Sequence, residues 1–138
     1  IVRNRAVKKE KKYNNHLYMN GPAMFSFAIR EVPKTILNTL KKNKLNLEDI
    51  DYFILHQANL YMLDSIRDKL NISKKKILNF IDYGNTTSST IPIVIHQSIK
   101  EKKIKKGNKI LICGFGLGAS WSSTIITISQ ELINNISK

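Results

Sequence analysis

A single cysteine, Cys113, stands in these 138 residues, so no intrachain disulfide can staple the chain. One free thiol suits a reducing cytoplasm. No apolar run approaches the roughly 18 to 20 residues that cross a bilayer, which excludes an expected membrane span. Ile1-Val2-Arg3-Asn4-Arg5 offers neither an initiator Met nor the apolar core of a signal peptide, and the start reads as a cut with sequence upstream. Acidic residues are scarce: 10 Asp and Glu face 23 Lys and Arg, a formal charge of +13. The one glycine-rich loop, Gly114 to Gly118, lacks the Gly-Lys-Ser/Thr of a P-loop and runs into a strand-like segment rather than a helix. That argues against both phosphate-loop and dinucleotide binding. No metal site and no cofactor are expected.

What remains is one domain's worth of chain, 42% hydrophobic, long enough for a proper core. Its lysines come in runs at Lys8 to Lys12, Lys41 to Lys44, Lys74 to Lys76 and Lys100 to Lys106. Such an excess attracts nucleic acid, anionic membrane or an acidic protein, or simply solvates the faces of a Lys- and Asn-rich sequence. The runs are not interleaved with stacking aromatics, which counts against a nucleic-acid-binding module, the reading from a different class.

Residues 1–18 are polar and basic, with a strand signal only at His16-Leu17-Tyr18, and read as a loop or the remnant of preceding sequence. The folded domain is expected over 19–138. Met19-Asn20-Gly21-Pro22 is a turn into a helix, because Pro in a first turn forgoes an N–H that has no partner there anyway. Phe25, Ala28, Ile29, Val32, Ile36, Leu37 and Leu40 then recur at helical steps. Pro33 is expected to kink or restart that helix.

Asn46-Leu47-Glu48-Asp49 reads as a connector with capping potential. A strand follows over 51–55, then a helix with Leu60, Leu63, Ile66 and Leu70 on one face. Ser73 is expected to cap a short basic turn, and Ile77 to Ile81 to form a strand or run extended. A third helix, roughly 88–101, should bury Ile91, Ile95 and Ile99. Lys109 to Cys113 and Ser122 to Ile128 read as strands, the second rich in Thr and Ile. Helices alternating with short apolar strands predict a layered α/β domain with an antiparallel pair at its end.

The chemistry concentrates at two polar stretches. His56-Gln57-Ala58-Asn59 follows the apolar strand, and Gly84-Asn85-Thr86-Thr87-Ser88-Ser89 precedes the third helix. Strand ends that feed helices are where open α/β sheets keep their sites. Taken singly, His56 is as readily a structural histidine, Gly84-Asn85 a turn, and Thr86 to Ser89 a helix cap. Presented together, a His and an Asn make two donors that can converge on one oxygen.

HQAN, GNTTSS and the later Phe115-Gly116-Leu117-Gly118-Ala119-Ser120-Trp121, in this order, resemble the C-terminal half of the β-ketoacyl-acyl-carrier-protein synthase III family, of thiolase-like fold. The match extends upstream to Met19-Asn20-Gly21 and Phe25. The resemblance implies a layered thiolase-like half, with a mixed sheet and helices packed on it. It implies that His56 and Asn85 are the catalytic donors to a malonyl thioester carbonyl, and Asn85 favours the Cys-His-Asn type over enzymes with two histidines. It matches Leu117, where many members have Gly, to the backbone oxyanion donor, and Gly21, Phe25 and Asn59 to the pantetheine tunnel. Helix cap, turn and core are the structural alternatives for those three. The nucleophilic cysteine belongs to the preceding half, while Cys113, inside an apolar strand, reads as an inert thiol.

The implied activity is decarboxylative Claisen condensation in fatty-acid or related acyl biosynthesis. Its substrates would be acyl-coenzyme A and malonyl-acyl-carrier protein. The implied partners are acyl carrier protein, the chain's own N-terminal half and a second copy in a homodimer. Acyl transfer without decarboxylation is the alternative within the same fold. Many synthases carry a docking arginine after HQANL. Here Tyr61 takes that place, leaving Arg67 and the lysine runs as the cations for an acidic partner.

Overall fold

The computed structural model describes residues 19–137, so the expected loop and strand signal before Met19 lie outside the described residues. Helix α1 spans Gly21–Lys42 without interruption. Asn20 starts it, its side chain accepting a hydrogen bond from the Ala23 N–H at 3.0 Å. Pro33 neither ends nor restarts this helix. Its ring costs an interior hydrogen bond, about 3 kcal/mol in an exposed helix, but here it is buried in the packed face. Ala28, Val32, Ile36 and Leu40, spaced by four, form the buried stripe. Leu37, predicted to share it, lies to one side and is 49% exposed.

Strand β1 (Tyr52–Leu55) is short and its last three residues are buried. Helix α2 (Leu60–Leu70) buries Met62, Leu63, Ile66 and Leu70, while Leu60, at its first turn, is half exposed. Ser73 precedes the single turn Lys74–Lys76 but makes no side-chain cap bond. The following segment is extended only enough for one parallel bridge, Phe53 to Ile77. Turns at Ile81–Tyr83 and Thr87–Ser89 lead into α3 (Thr90–Lys100), which carries Pro92 in its first turn. Val94 and Ile99 are its fully buried aliphatics, with Ile91 and Ile95 half-buried.

Strands β2 (Lys109–Gly116) and β3 (Ser120–Thr127) form the antiparallel pair. Gly118, at φ +113°, closes their hairpin; an added Cβ would meet the Ser120 hydroxyl at 3.0 Å. A final helix, α4 (Gln130–Ser137), was not anticipated. Its signal was local: Ser129 accepts from the Leu132 N–H, and Leu132, Ile133 and Ile136 face the core.

The sheet order is β1-β2-β3, parallel then antiparallel. Phe53, Leu55, Leu111, Cys113 and Phe115 point to one face, under α1 and α2. Ile54 and Ile110 point to the other, with Val94, Ile99, Ile104 and Ile128 beneath α3 and α4. Both faces are covered, so β1 reads as a continuous apolar run rather than an alternating one. In the full-length protein, Phe53→Ala should therefore cost about 3–5 kcal/mol of stability. Leu37→Ala, at an exposed site, should stay within about 0.5 kcal/mol. Urea denaturation of both variants checks the pair, and equal losses would contradict this core.

Candidate active site

The parallel pairing of β1 with β2 builds the site. Leu55 pairs with Cys113, and the ladder runs one residue further, the His56 N–H donating to the Cys113 carbonyl at 2.9 Å. His56 is thereby held at the carboxyl end of the sheet, where open α/β folds bind ligands. Its ring is half-buried and meets the Phe115 ring edge-on, with centroids 5.4 Å apart at 87°.

A short chain of hydrogen bonds joins His56 to the second predicted donor. His56 Nδ1 lies 2.9 Å from Thr90 Oγ1, and the Thr90 hydroxyl reaches the Thr87 carbonyl at 3.0 Å. The Thr87 N–H in turn donates to Asn85 Oδ1 at 3.0 Å. The Asn85 oxygen is thus occupied from within, which leaves the amide N–H groups of this exposed residue as the ones a ligand can use. Thr87 holds φ at +54°, a left-handed conformation unfavourable for a β-branched residue. Strain of this kind costs roughly 1–3 kcal/mol and is retained where a loop must aim its groups.

Gln57 braces the same two segments from below. Its buried amide donates to the Leu55 carbonyl at 2.6 Å and accepts the Phe80 N–H at 3.2 Å. Phe80 and Thr90 carried no expectation of their own. Gln57 and Thr87 lay inside the recognised words, but which atoms they bridge depends on contacts between distant segments.

The other predicted positions take different places. Asn59 caps α2, its Oδ1 accepting from the Met62 N–H at 2.8 Å. Gly21 is the first residue of α1, and Phe25 one turn on stacks on Tyr61 of α2 with centroids 5.3 Å apart. The starts of α1 and α2 therefore sit side by side. Leu117 stands between β2 and β3, two residues beyond Phe115 and 67% exposed. Arg67 is not a free cation for a partner, because Asp64 and Asp68 both pair with it. A hollow of about 460 Å³ between Lys41, Leu45 and Glu48 lies at the opposite end of α1 and contains none of these residues. Among the described residues no His, Cys, Asp and Glu group has the arrangement to hold a metal ion. No described helix is long and apolar enough to cross a membrane.

Cys113 is fully buried, and burial pushes its thiol up to about 12. A thiolate is therefore denied it at neutral pH, in keeping with an inert structural thiol. A disulfide-exchange reagent should label Cys113 in denaturant but not in the native protein. Rapid native labelling would overturn this assignment.

His56 is held below its ordinary value of 6.5, first by burial, which disfavours the charged ring, and against an opposing backbone hydrogen bond with Thr87. The folded state thus favours the neutral ring, and the unfolded chain binds the proton more readily. The resulting stability is fully present above 6.5 and lost as pH falls through the depressed folded value. The ring resonances of His56 should accordingly titrate with a midpoint below 6.5. A midpoint above that value would contradict the burial argument.

A mixed three-stranded sheet covered on both faces, with a His and an Asn tied together at its carboxyl end, defines a thiolase-like half with a polar site. Residues 40–128 match the family model described as 3-oxoacyl-[acyl-carrier-protein (ACP)] synthase III C terminal. The chain belongs to the β-ketoacyl-[acyl-carrier-protein] synthase III family. It is 49% identical over 109 residues to the β-ketoacyl-[acyl-carrier-protein] synthase III of Prochlorococcus marinus (strain MIT 9515), covering 78% of this chain and 32% of that protein. It is 41% identical over 118 residues to the Lactococcus lactis subsp. lactis (strain IL1403) protein of the same name, covering 83% of this chain and 36% of the relative.

Among solved structures, the Thermus thermophilus synthase III matches with a TM-score of 0.80 at 34% identity, over 83% of this chain and 36% of that one. The Aquifex aeolicus VF5 enzyme gives 0.80 at 33% identity, over 85% and 38%. The chain spans about a third of the length of the relatives it matches.

Proposed function

We propose that this chain supplies the decarboxylation donors of a β-ketoacyl-acyl-carrier-protein synthase III. His56 and Asn85 hydrogen-bond the thioester carbonyl of a malonyl group carried on acyl carrier protein. As the carbon–carboxylate bond breaks and carbon dioxide leaves, the electron pair passes onto that carbonyl oxygen as an enolate. Two N–H donors, Asn85 and the His56 ring with its proton on Nε2, favour the enolate over the neutral thioester, so they act on the barrier rather than on binding alone. The enolate carbon then attacks an acyl thioester, formed from acyl-coenzyme A on a cysteine outside this chain, and the cysteine thiolate leaves.

The observation that carries this reading is the hydrogen-bond chain from His56 through Thr90 and Thr87 to Asn85. It ties a histidine ring and an exposed amide into one frame at the carboxyl end of a parallel strand pair. Leu117, exposed beside the Phe115 that touches His56, fits a backbone donor to the acyl-cysteine oxyanion. Gly21, Phe25 and Asn59, at the adjoining starts of α1 and α2, fit the mouth of a pantetheine tunnel. The working protein is a cytoplasmic homodimer containing this half and its N-terminal counterpart. The lysine runs, rather than Arg67, meet the acidic carrier protein.

In the full-length protein, His56→Ala and Asn85→Ala should each slow malonyl decarboxylation by about 10²–10³, equivalent to about 2.7–4 kcal/mol. Asn85→Ala should leave single-turnover acyl-enzyme formation much less affected, since that step uses a different oxyanion site. Wild-type decarboxylation rates in both variants would refute the assignment. A wild type that acylates but never decarboxylates would point instead to simple acyl transfer.

A further inference from the structure

His56 has only one ring nitrogen left for a ligand. Nδ1 faces Thr90 Oγ1, so Nε2 must meet whatever enters the site. In a neutral imidazole one nitrogen carries the proton and the other accepts, and the bond made by one decides the state of the other. Nε2 donates only when Nδ1 is bare.

Proton counting on Thr90 limits the choices. Its hydroxyl has one proton and two neighbours that want it, the Thr87 carbonyl at 3.0 Å and His56 Nδ1 at 2.9 Å. The carbonyl can only accept. With the hydroxyl turned to Thr87, Thr90 Oγ1 accepts from Nδ1–H, and Nε2 offers a lone pair. With the hydroxyl turned to Nδ1, the ring proton sits on Nε2, which becomes a donor. The exchange needs a rotation about one C–O bond and transfer of the ring proton through solvent or ligand, with no change in net charge. Thr90 is 2% exposed, so water does not replace its hydroxyl, and Phe115 against the ring opposes a flip that would swap the two nitrogens.

We propose that the Thr90 hydroxyl selects which ring nitrogen of His56 carries the proton, and so decides whether Nε2 accepts or donates. Thr90 is a positioning residue: it touches His56 and not the substrate. This deepens the donor reading given above and rests on it. Without the hydroxyl, the backbone hydrogen bond with Thr87 is the one polar contact left to Nδ1, and it holds the ring proton there with a bare Nε2. Such a ring cannot donate to an enolate oxygen.

The test uses the full-length protein with ¹⁵N-labelled histidine, at a pH above the ring's pKa, with His56 signals identified by their loss in His56→Ala. Thr90→Val keeps the side-chain shape and removes the hydroxyl, and Thr90→Ser keeps the hydroxyl. Wild type and Thr90→Ser should show a fraction with the proton on Nε2, and Thr90→Val only the Nδ1–H form. Malonyl decarboxylation should fall toward the roughly 10²–10³-fold loss of a missing donor in Thr90→Val, and stay near wild type in Thr90→Ser. Should the valine variant fail to fold, Thr90→Ala carries the same expectation. Identical ring-proton populations in wild type and the hydroxyl-free variant would overturn the proposal, as would a wild type found only as Nδ1–H. A clear shift in ring proton, in a protein whose wild type never decarboxylates, would uphold the Thr90 role and overturn the functional reading beneath it.

Discussion

The parallel ladder between β1 and β2 is the constraint on which the site depends. Four residue pairs fix the register, and the next bond, from His56 to the Cys113 carbonyl, sets where the histidine leaves the sheet. A slip of one residue would turn Phe53 and Leu55 from the α1–α2 side to the α3–α4 side and break the packing on both covered faces. The core therefore enforces the placement of His56 indirectly. Phe53 and Leu55 can both be buried against Leu111, Cys113 and Phe115 only in the register that puts His56 at the edge.

The loop carrying Asn85 has no such ladder. Its one bridge to the sheet involves Ile77, and past Phe80 it proceeds through single turns. Side-chain bonds substitute for strand pairing: Gln57 clamps the start of the loop at Phe80, and Thr90 ties its end to His56. Between these anchors Thr87 tolerates a left-handed backbone, because its N–H and carbonyl are both used, one by Asn85 and one by Thr90. A strained residue with both backbone groups committed to the site is better explained by aiming than by turn preference.

Much of this was legible in the sequence where one local rule dominated. β1 was readable from an unbroken apolar run, the start of α1 from Asn20 and Pro22, and the terminal antiparallel pair from strand composition around a glycine loop. Readings failed where local rules met tertiary context. Pro33 should interrupt a helix, but burial holds it inside one. Leu37 fits the helical period but falls beside a stripe narrower than the period alone defines. Ile91 and Ile95 share burial with Val94, since α3 begins two residues later than its small polar prefix suggested. His56 and Asn85 were legible as words. Their connection was not, because no periodicity or spacing announces that a threonine on α3 will bond the histidine just past β1.

The surface around the site bears on how strongly these donors can act. Of the large apolar side chains exposed among the described residues, Leu60 and Tyr61 follow the His56 loop, Tyr83 adjoins Asn85, and Leu117 lies beyond Phe115. Met19 precedes the helix start that stacks on Tyr61, and only Leu37 lies elsewhere. An apolar rim around polar donors is costly in water and matches a surface that another surface covers. Covering it would exclude water from His56 and Asn85. A hydrogen bond to a developing oxyanion gains strength as the local dielectric falls. Burial of the ring already shifts His56 toward its neutral form. Burial and covering therefore act in the same direction. The one favours an uncharged histidine, whose role depends on where a single proton sits, and the other raises the effect of that proton once an enolate forms.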